Sequence, residues 1–209
     1  MLDKNPDLDS VQNLSNLIKI LESKTLNMIM HTDSFLKTNF FNQLILGTNY
    51  PVIYLDLDLM FSGYVESSIM PINHRLTLYH PNRHQLPETI KKILLEISAK
   101  KNIIIIDSLN GLFNLYHDAK DAGRLLNSFI MLIGNISKNS NSSVIISGMT
   151  RRKNNEEWVL SITGRHIFAS KQMNIIQLER KNSSFNVSLL DKKAVPQKTL
   201  SMQIQSNLI

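Results

Sequence analysis

Two kinds of apolar run alternate along the first three quarters of the chain. Asp7 to Glu22 carries Leu8, Val11, Leu14, Leu17, Ile18 and Leu21 at helical spacing, with Asp7 or Asp9 placed to cap its start. Leu26 to Met30 is a short apolar run of strand length, and Asn39 to Leu46 reads as a helix after it. Pro51 to Asp58 is a buried strand ending in two carboxylates, Asp56 and Asp58, and Arg75 to Tyr79 is a weaker one. Leu86 to Ala99 predicts a helix with Ile90, Ile93, Leu94 and Ile97 on one face. Four consecutive isoleucines, Ile103 to Ile106, then lead into Asp107. A β-branched run without alternation predicts a strand buried on both faces, and helices cover both faces of a sheet only in a layered α/β fold. Ala119 to Ser137 is a long amphipathic helix, and Ser143 to Gly148 another buried strand. The alternation is the signature of βαβ units around a mostly parallel sheet.

Beyond Gly148 the pattern changes. Arg151 to Glu157 is polar and charged and reads as a loop. Trp158 to Ile162, His166 to Ala169, Met173 to Leu178 and Ser184 to Leu189 are short strand candidates. Ile175–Arg180 and Phe185–Leu190, joined by Lys181-Asn182-Ser183-Ser184, predict an antiparallel hairpin. The expected organisation is one domain over residues 1–196, with a leading helix in 1–24 and a basic loop and β-hairpins in 151–190. A polar flexible tail is expected over 197–209.

Charge sharpens the division. Residues 1–150 hold 13 Lys+Arg and 13 Asp+Glu, whereas residues 151–209 hold 10 and 4, so the whole net charge of +6 falls in the final segment. Such asymmetry points to a polyanionic partner on one side of the molecule, or to a solvated basic surface. The chain has no cysteine, which excludes disulfides and thiolate metal sites. No apolar run reaches bilayer length and the acidic start is unlike a secretory signal, so a cytoplasmic location without membrane contact is expected. The histidines His74, His80, His84 and His117 lack metal-ligand spacing.

Candidate chemistry lies where strands should emerge from the sheet. Asp107 either turns the chain after a core strand or holds the magnesium of a nucleotide, since open α/β sheets bind ligands at the carboxyl ends of their strands. Lys37-Thr38 stands at a strand–loop–helix junction, where a phosphate loop ends. Tyr54-Leu55-Asp56-Leu57-Asp58, Ile104-Ile105-Ile106-Asp107-Ser108-Leu109, Ser147-Gly148-Met149-Thr150 and the stretch from Gly164-Arg165-His166 through Leu178-Glu179-Arg180 to Leu189-Leu190-Asp191 follow in order. Together these resemble the RecA-like ATPase core over roughly residues 10–196, most closely archaeal RadA recombinases and their paralogues, with KaiC-like proteins next. The resemblance implies an α/β P-loop NTPase core with helices on both faces of the sheet and a C-terminal antiparallel β-hairpin. It implies Lys37, Thr38 and Asp107 as nucleotide ligands, Thr38 and Asp107 as magnesium ligands when nucleotide binds, and Asp58 at the position of the catalytic Glu.

The departures are concentrated in the phosphate loop. In the pattern G-x-x-x-x-G-K-[ST], His31 replaces the first Gly and Leu36 the second. A Cβ at both places crowds a loop that must turn its amides toward phosphates. Asp33 adds a negative charge, and Asp58 is one methylene shorter than Glu, leaving it a vestigial base. The expectation is therefore a degenerate site: hydrolysis lost or weak, and ATP with Mg²⁺ bound weakly if at all. Arg151, Arg152, Lys153, Arg165 and Lys171 lie in the region that resembles the family's second DNA-binding loop and are candidate contacts to single-stranded DNA or RNA. Trp158 has a base to stack on or a core to fill. The resemblance thus implies a recombinase paralogue assisting homologous recombination or DNA repair, with a RecA-like protein or further copies of itself as partners. The alternatives are an Elongator-like ring subunit acting on tRNA, a genuine ATPase with an atypical phosphate loop, and a KaiC-like signalling module.

Overall fold

The computed structural model describes residues 6–71, 73–116, 120–153, 157–160 and 172–204. In chain order these form α1 (Pro6–Glu22), β1 (Leu26–His31), α2 (Ser34–Gly47), β2 (Val52–Asp56), α3 (Met60–Glu66), β3 (Leu76–Tyr79), α4 (Leu86–Ala99) and β4 (Ile103–Asp107). There follow α5 (Leu109–Leu115), α6 (Ala122–Asn139), β5 (Ser143–Lys153), β6 (Glu157–Leu160), β7 (Met173–Lys181), β8 (Ser184–Leu190) and β9 (Pro196–Gln203). The strands line up as β3-β2-β4-β5-β1-β7-β8-β9, with β6 paired to β5 off this path. From β3 to β7 every neighbouring pair is parallel. β8 and β9 close the sheet antiparallel, so the mostly parallel α/β core and its C-terminal hairpin are as the patterning predicts.

Side chains alternate across a sheet with period two, and this sorts the core into two layers. Ile103 and Ile105 pack with Val52, Tyr54, Ile145 and Ile29 under α1, α2 and α3. Ile104 and Ile106 pack with Ile53, Leu55, Val144 and Ile146 under α4, α5 and α6. The isoleucine run fills both layers, which is why it shows no alternation. α2 differs from the other long helices: Leu36 to Asn42 are all buried, including Lys37, Thr38 and Asn39. Covered on nearly every side as far as Ile45, it shows no amphipathic stripe. Two asparagines anchor α1 behind the sheet. Asn27 Nδ2 donates to the Leu21 carbonyl at 2.9 Å, and Asn174 Nδ2 donates to Asn27 Oδ1 and to the Ile20 carbonyl, both at 2.8 Å.

Two expectations are corrected. Arg151 to Lys153 do not begin a loop. They continue β5, with Arg151, Arg152 and Lys153 opposite Val159, Trp158 and Glu157 of β6. A polar stretch without apolar residues carries no periodic signal, so the sequence pattern does not register the hairpin extension. Likewise, the expected tail over 197–209 begins with strand β9, in register with β8. Only Leu200 and Met202 turn inward from it. Asn13 Nδ2 and Gln43 Nε2, from α1 and α2, donate to its Ser201 and Gln203 carbonyls at 2.8 and 2.7 Å. The helices α3 and α5 are absent from the patterning too, each being only seven residues long.

Candidate functional site

The period-two alternation that builds the α2-side core also builds a polar row at the carboxyl rim. Asp107 lies two residues past Ile105, Asp56 two past Tyr54, Ser147 two past Ile145 and His31 two past Ile29, each continuing the face that α2 covers. The first turn of α2 brings Lys37 onto this row. Lys37 Nζ lies 2.7 Å from Asp107 Oδ1 and 3.3 Å from Asp58 Oδ2. The Lys37 and Asp107 side chains are both fully buried, while that of Asp58 remains 31% exposed.

Asp107 accepts from three side chains. Besides Lys37, Ser147 Oγ donates to its Oδ1 at 2.5 Å and Tyr54 Oη to its Oδ2 at 2.6 Å. Tyr54 is held in turn by rings, stacked on Phe61 at 4.4 Å between centroids and edge-on to Phe41 at 5.7 Å. Burial by itself would lower the Lys37 pKa, but the charges and hydrogen bonds of Asp107 and then Asp58 outweigh it, and the net direction is upward. Lys37 is therefore a firmly charged ammonium. Burial and the neighbouring Asp107 charge push the Tyr54 phenol well above its usual value, fixing it as a donor. Asp56 is also raised, chiefly by burial, against the opposing donation of the Ser62 backbone N–H and hydroxyl at 2.7 Å each.

Only two residues separate the end of β1 from the start of α2. Asp33 is the N-cap, in extended conformation, and Ser34 already opens the helix. Its Oδ1 accepts the Phe35 and Leu36 amides at 2.9 and 3.3 Å. Leu36 has ordinary helical geometry and is not among the non-glycine residues with positive φ, so the strain expected at a crowded glycine position does not arise. The first glycine of the sequence is Gly47, at the far end of that helix. Thr38 Oγ1 donates to the Ser34 carbonyl at 2.9 Å, within its own helix. His31 is 2% exposed, and among the described residues its ring nitrogens make no well-formed hydrogen bond, the nearest polar influence of the backbone on the ring being that of Asp33. Burial first and the Lys37 charge second lower its pKa to about 4, against the pull of Asp58 and Asp33, so the ring is neutral near pH 7.

The structure thus brings Lys37, Asp58 and Asp107 to one place, with Lys37 and Asp107 engaged by one another and by neighbours, while Thr38 bonds within its own helix. A nucleotide with magnesium fits this arrangement poorly. The α2 amides face an internal carboxylate, Lys37 is neutralised, and Asp107 already accepts three donors. Among the described residues no cluster of three or more acidic or histidine side chains is arranged to hold a metal ion. Sequence reasoning misses Tyr54 and Ser147 as partners of Asp107. The one signal for them is their position, on neighbouring strands, along the face that core side chains define. Arg151 is exposed on β5. Arg152 and Lys153 share its strand, and Arg165 and Lys171 lie outside the described residues.

No protein-family model and no curated protein matches the sequence. Among solved structures, the chain is similar to one described as the crystal structure of the RadB recombinase. The superposition covers 88% of this chain and 89% of that one, with a TM-score of 0.60 at 14% identity. The fold is RecA-like. Among the described residues, no helix is long and apolar enough to cross a membrane.

Proposed function

We propose that this chain is a RecA-like recombinase paralogue that has given up ATP hydrolysis and works by binding. Its partners would be single-stranded nucleic acid, a RecA-like protein, or both, in recombination or repair. The observation that carries the reading is the Lys37–Asp107 pair at 2.7 Å. In a working site of this kind the amine neutralises phosphate charge and the carboxylate serves magnesium. Here each neutralises the other inside a fully buried contact. Asp58, at the position of the catalytic carboxylate, is engaged by the same amine at 3.3 Å, which opposes its use as a base. The likeness to a recombinase in fold and the net positive charge of residues 151–209 support a polyanionic partner.

One series of measurements tests the reading. Phosphate release from ATP is followed first, alone and with single-stranded DNA. Fluorescent DNA is then titrated at two salt concentrations into the wild type and into Arg151→Ala/Arg152→Ala. The expected result is no turnover, and DNA binding that weakens steeply with salt, less steeply in the double variant. Turnover abolished by Lys37→Ala would instead mark a genuine ATPase. Salt-independent or absent nucleic-acid binding would remove the polyanion from the proposal and leave the protein partner.

A further inference from the structure

The amino rim of the sheet, opposite the Lys37–Asp107 row, gathers cations from segments far apart in the chain. Two open grooves meet there at Lys24, in the α1–β1 connection, which lines both. Lys138, in the last turn of α6, lines the first groove. Lys192 and Lys193, in the β8–β9 turn, line the second. Lys138, Lys192 and Lys193 are exposed. Lys24 and Lys138 come from residues 1–150, whose charges balance, and only the fold brings them beside the other two. The acids of the grooves are already engaged. Glu22 Oε1 accepts from Lys101 Nζ at 2.6 Å. Asp191 Oδ1 accepts the Lys193 and Val195 amides at 2.8 and 2.9 Å. The Ala194 amide donates to the Asp191 carbonyl at 3.1 Å, and Ala194 sits in the left-handed region at φ 59°. These bonds brace the turn, so Lys192 and Lys193 are presented together from a fixed backbone. Four lysines against two carboxylates leave the lining at +2.

The spacing sets the size of the partner. α6 leads into β5, Lys24 leads into β1, and the Lys192–Lys193 turn follows β8, these strands standing in the order β5-β1-β7-β8. At about 4.8 Å between neighbouring strands, the lysine row is roughly 14 Å long. That exceeds the reach of one inorganic phosphate and suits successive phosphates of a chain. Among the described residues no aromatic side chain lines either groove, so bases have nothing to stack on. The exposed amides of Asn135 and Gln197 add neutral donors for phosphate oxygens. A concave path also fits a flexible strand better than it fits a flat lipid surface. We propose that the amino rim is a second nucleic-acid contact face, in which Lys24, Lys138, Lys192 and Lys193 track the phosphate backbone of a single strand without reading its bases. The inference rests on the polyanion reading of the proposed function. It gives that partner a place apart from Arg151 and Arg152, which lie toward the opposite end of β5.

The test uses the full chain and a fluorescent single-stranded DNA of mixed sequence, titrated over a range of salt. Lys192→Gln/Lys193→Gln removes two charges from the rim. Lys91→Gln/Lys92→Gln removes two from the exposed side of α4, as a control for net charge. Urea unfolding establishes that every variant is folded. Each phosphate contact on a single strand contributes about 0.7 to the slope of log affinity against log salt. The rim variant is therefore expected to flatten that slope by about 1.4 and to bind about tenfold more weakly at about 0.1 M salt. Adding Lys138→Gln is expected to flatten it by about 0.7 more, whereas the control pair should keep the wild-type slope. A control pair that weakens binding as much as the rim pair overturns the proposal, because net charge alone would then be acting. So does a rim variant that binds like wild type while Arg151→Ala/Arg152→Ala binds more weakly, a result that leaves the proposed function standing. A wild type that binds no DNA at any salt concentration removes both. Phosphatidylserine vesicles that engage these lysines when DNA does not would overturn the proposal in favour of a lipid surface.

Discussion

Two strand-to-helix junctions lie at the same rim of the sheet and do the same mechanical job with opposite chemistry. Between β1 and α2 the cap is Asp33, a charged side chain, and the turn contains no glycine. Between β4 and α5 the cap is Ser108, which accepts the Gly111 amide at 3.2 Å. There the chain needs a glycine: a Cβ on Gly111 would fall 2.7 Å from Asp58 Oδ1 and 2.8 Å from Leu57 Cβ. The missing side chain thus serves an internal contact, seating the Leu57–Asp58 turn on α5 and so presenting Asp58 to Lys37. A phosphate site requires the reverse, glycine where the ligand approaches. The same device, close approach through a missing Cβ, has here been used to close a cluster.

Lys37 ties the two junctions together, so its removal should have the largest effect. Lys37→Met leaves Asp107 buried with no cation and is expected to destabilise the protein by about 3–5 kcal/mol in urea unfolding. Lys37→Met/Asp107→Asn should cost clearly less than the sum of the two single variants, because the second change removes the uncompensated charge. If the two costs simply add, the pair does not tie the junctions.

Next comes acid sensitivity, to which His31 of the β1–α2 junction contributes. The folded-state pKa of His31 is about 4, below its ordinary 6.5, so the unfolded chain binds more protons between those values. Its contribution is therefore complete above about pH 6.5 and falls away as pH drops toward 4, by roughly 3 kcal/mol in all. Asp56, raised by burial, acts in the opposite sense above its ordinary value and blunts the slope. His31→Gln should flatten the loss of stability between pH 6.5 and 4.5. A variant with the wild-type slope would put the acid sensitivity elsewhere.

Smaller again is the rim contact on the β4 side. Tyr54→Phe removes the hydroxyl that meets Asp107 Oδ2 at 2.6 Å and leaves a buried carboxylate oxygen short of a donor. The expected cost is about 1–3 kcal/mol, read from urea midpoints. The ring stacking on Phe61 should be retained, so a much larger loss would point to disturbed packing.

The same rim separates what is legible in the sequence from what is not. The isoleucine strand, the βαβ order and the final hairpin are legible because buried parallel strands write their apolar character continuously into the chain. Lys37, Asp58 and Asp107 are legible as neighbours because their order along the chain resembles a known core. Their mutual neutralisation is not. Whether a Lys meets a phosphate or an Asp depends on the local backbone, and here Asp33 caps a helix that starts at Ser34. Tyr54 and Ser147 are hidden for a related reason. Each is an inconspicuous residue on a core strand until the register sets them beside Asp107 on one face. β9 is hidden because six of its eight residues face solvent and its anchoring comes from side chains far away in sequence, Asn13 and Gln43.

The finest test sets the two caps directly against each other. Asp33→Ala and Ser108→Ala each expose helix amides and should each cost about 0.5–2 kcal/mol. They should differ in their response to salt. The Asp33 carboxylate is a third exposed and works on the α2 dipole and on Arg180 through its charge, so its contribution should shrink between low salt and about 1 M, where screening is nearly complete. Ser108 is neutral and 1% exposed, and its contribution should be indifferent to salt. Equal salt dependence at the two positions would mean that Asp33 acts only as a hydrogen-bond acceptor. The contrast between a charged junction and a neutral one would then have no energetic content.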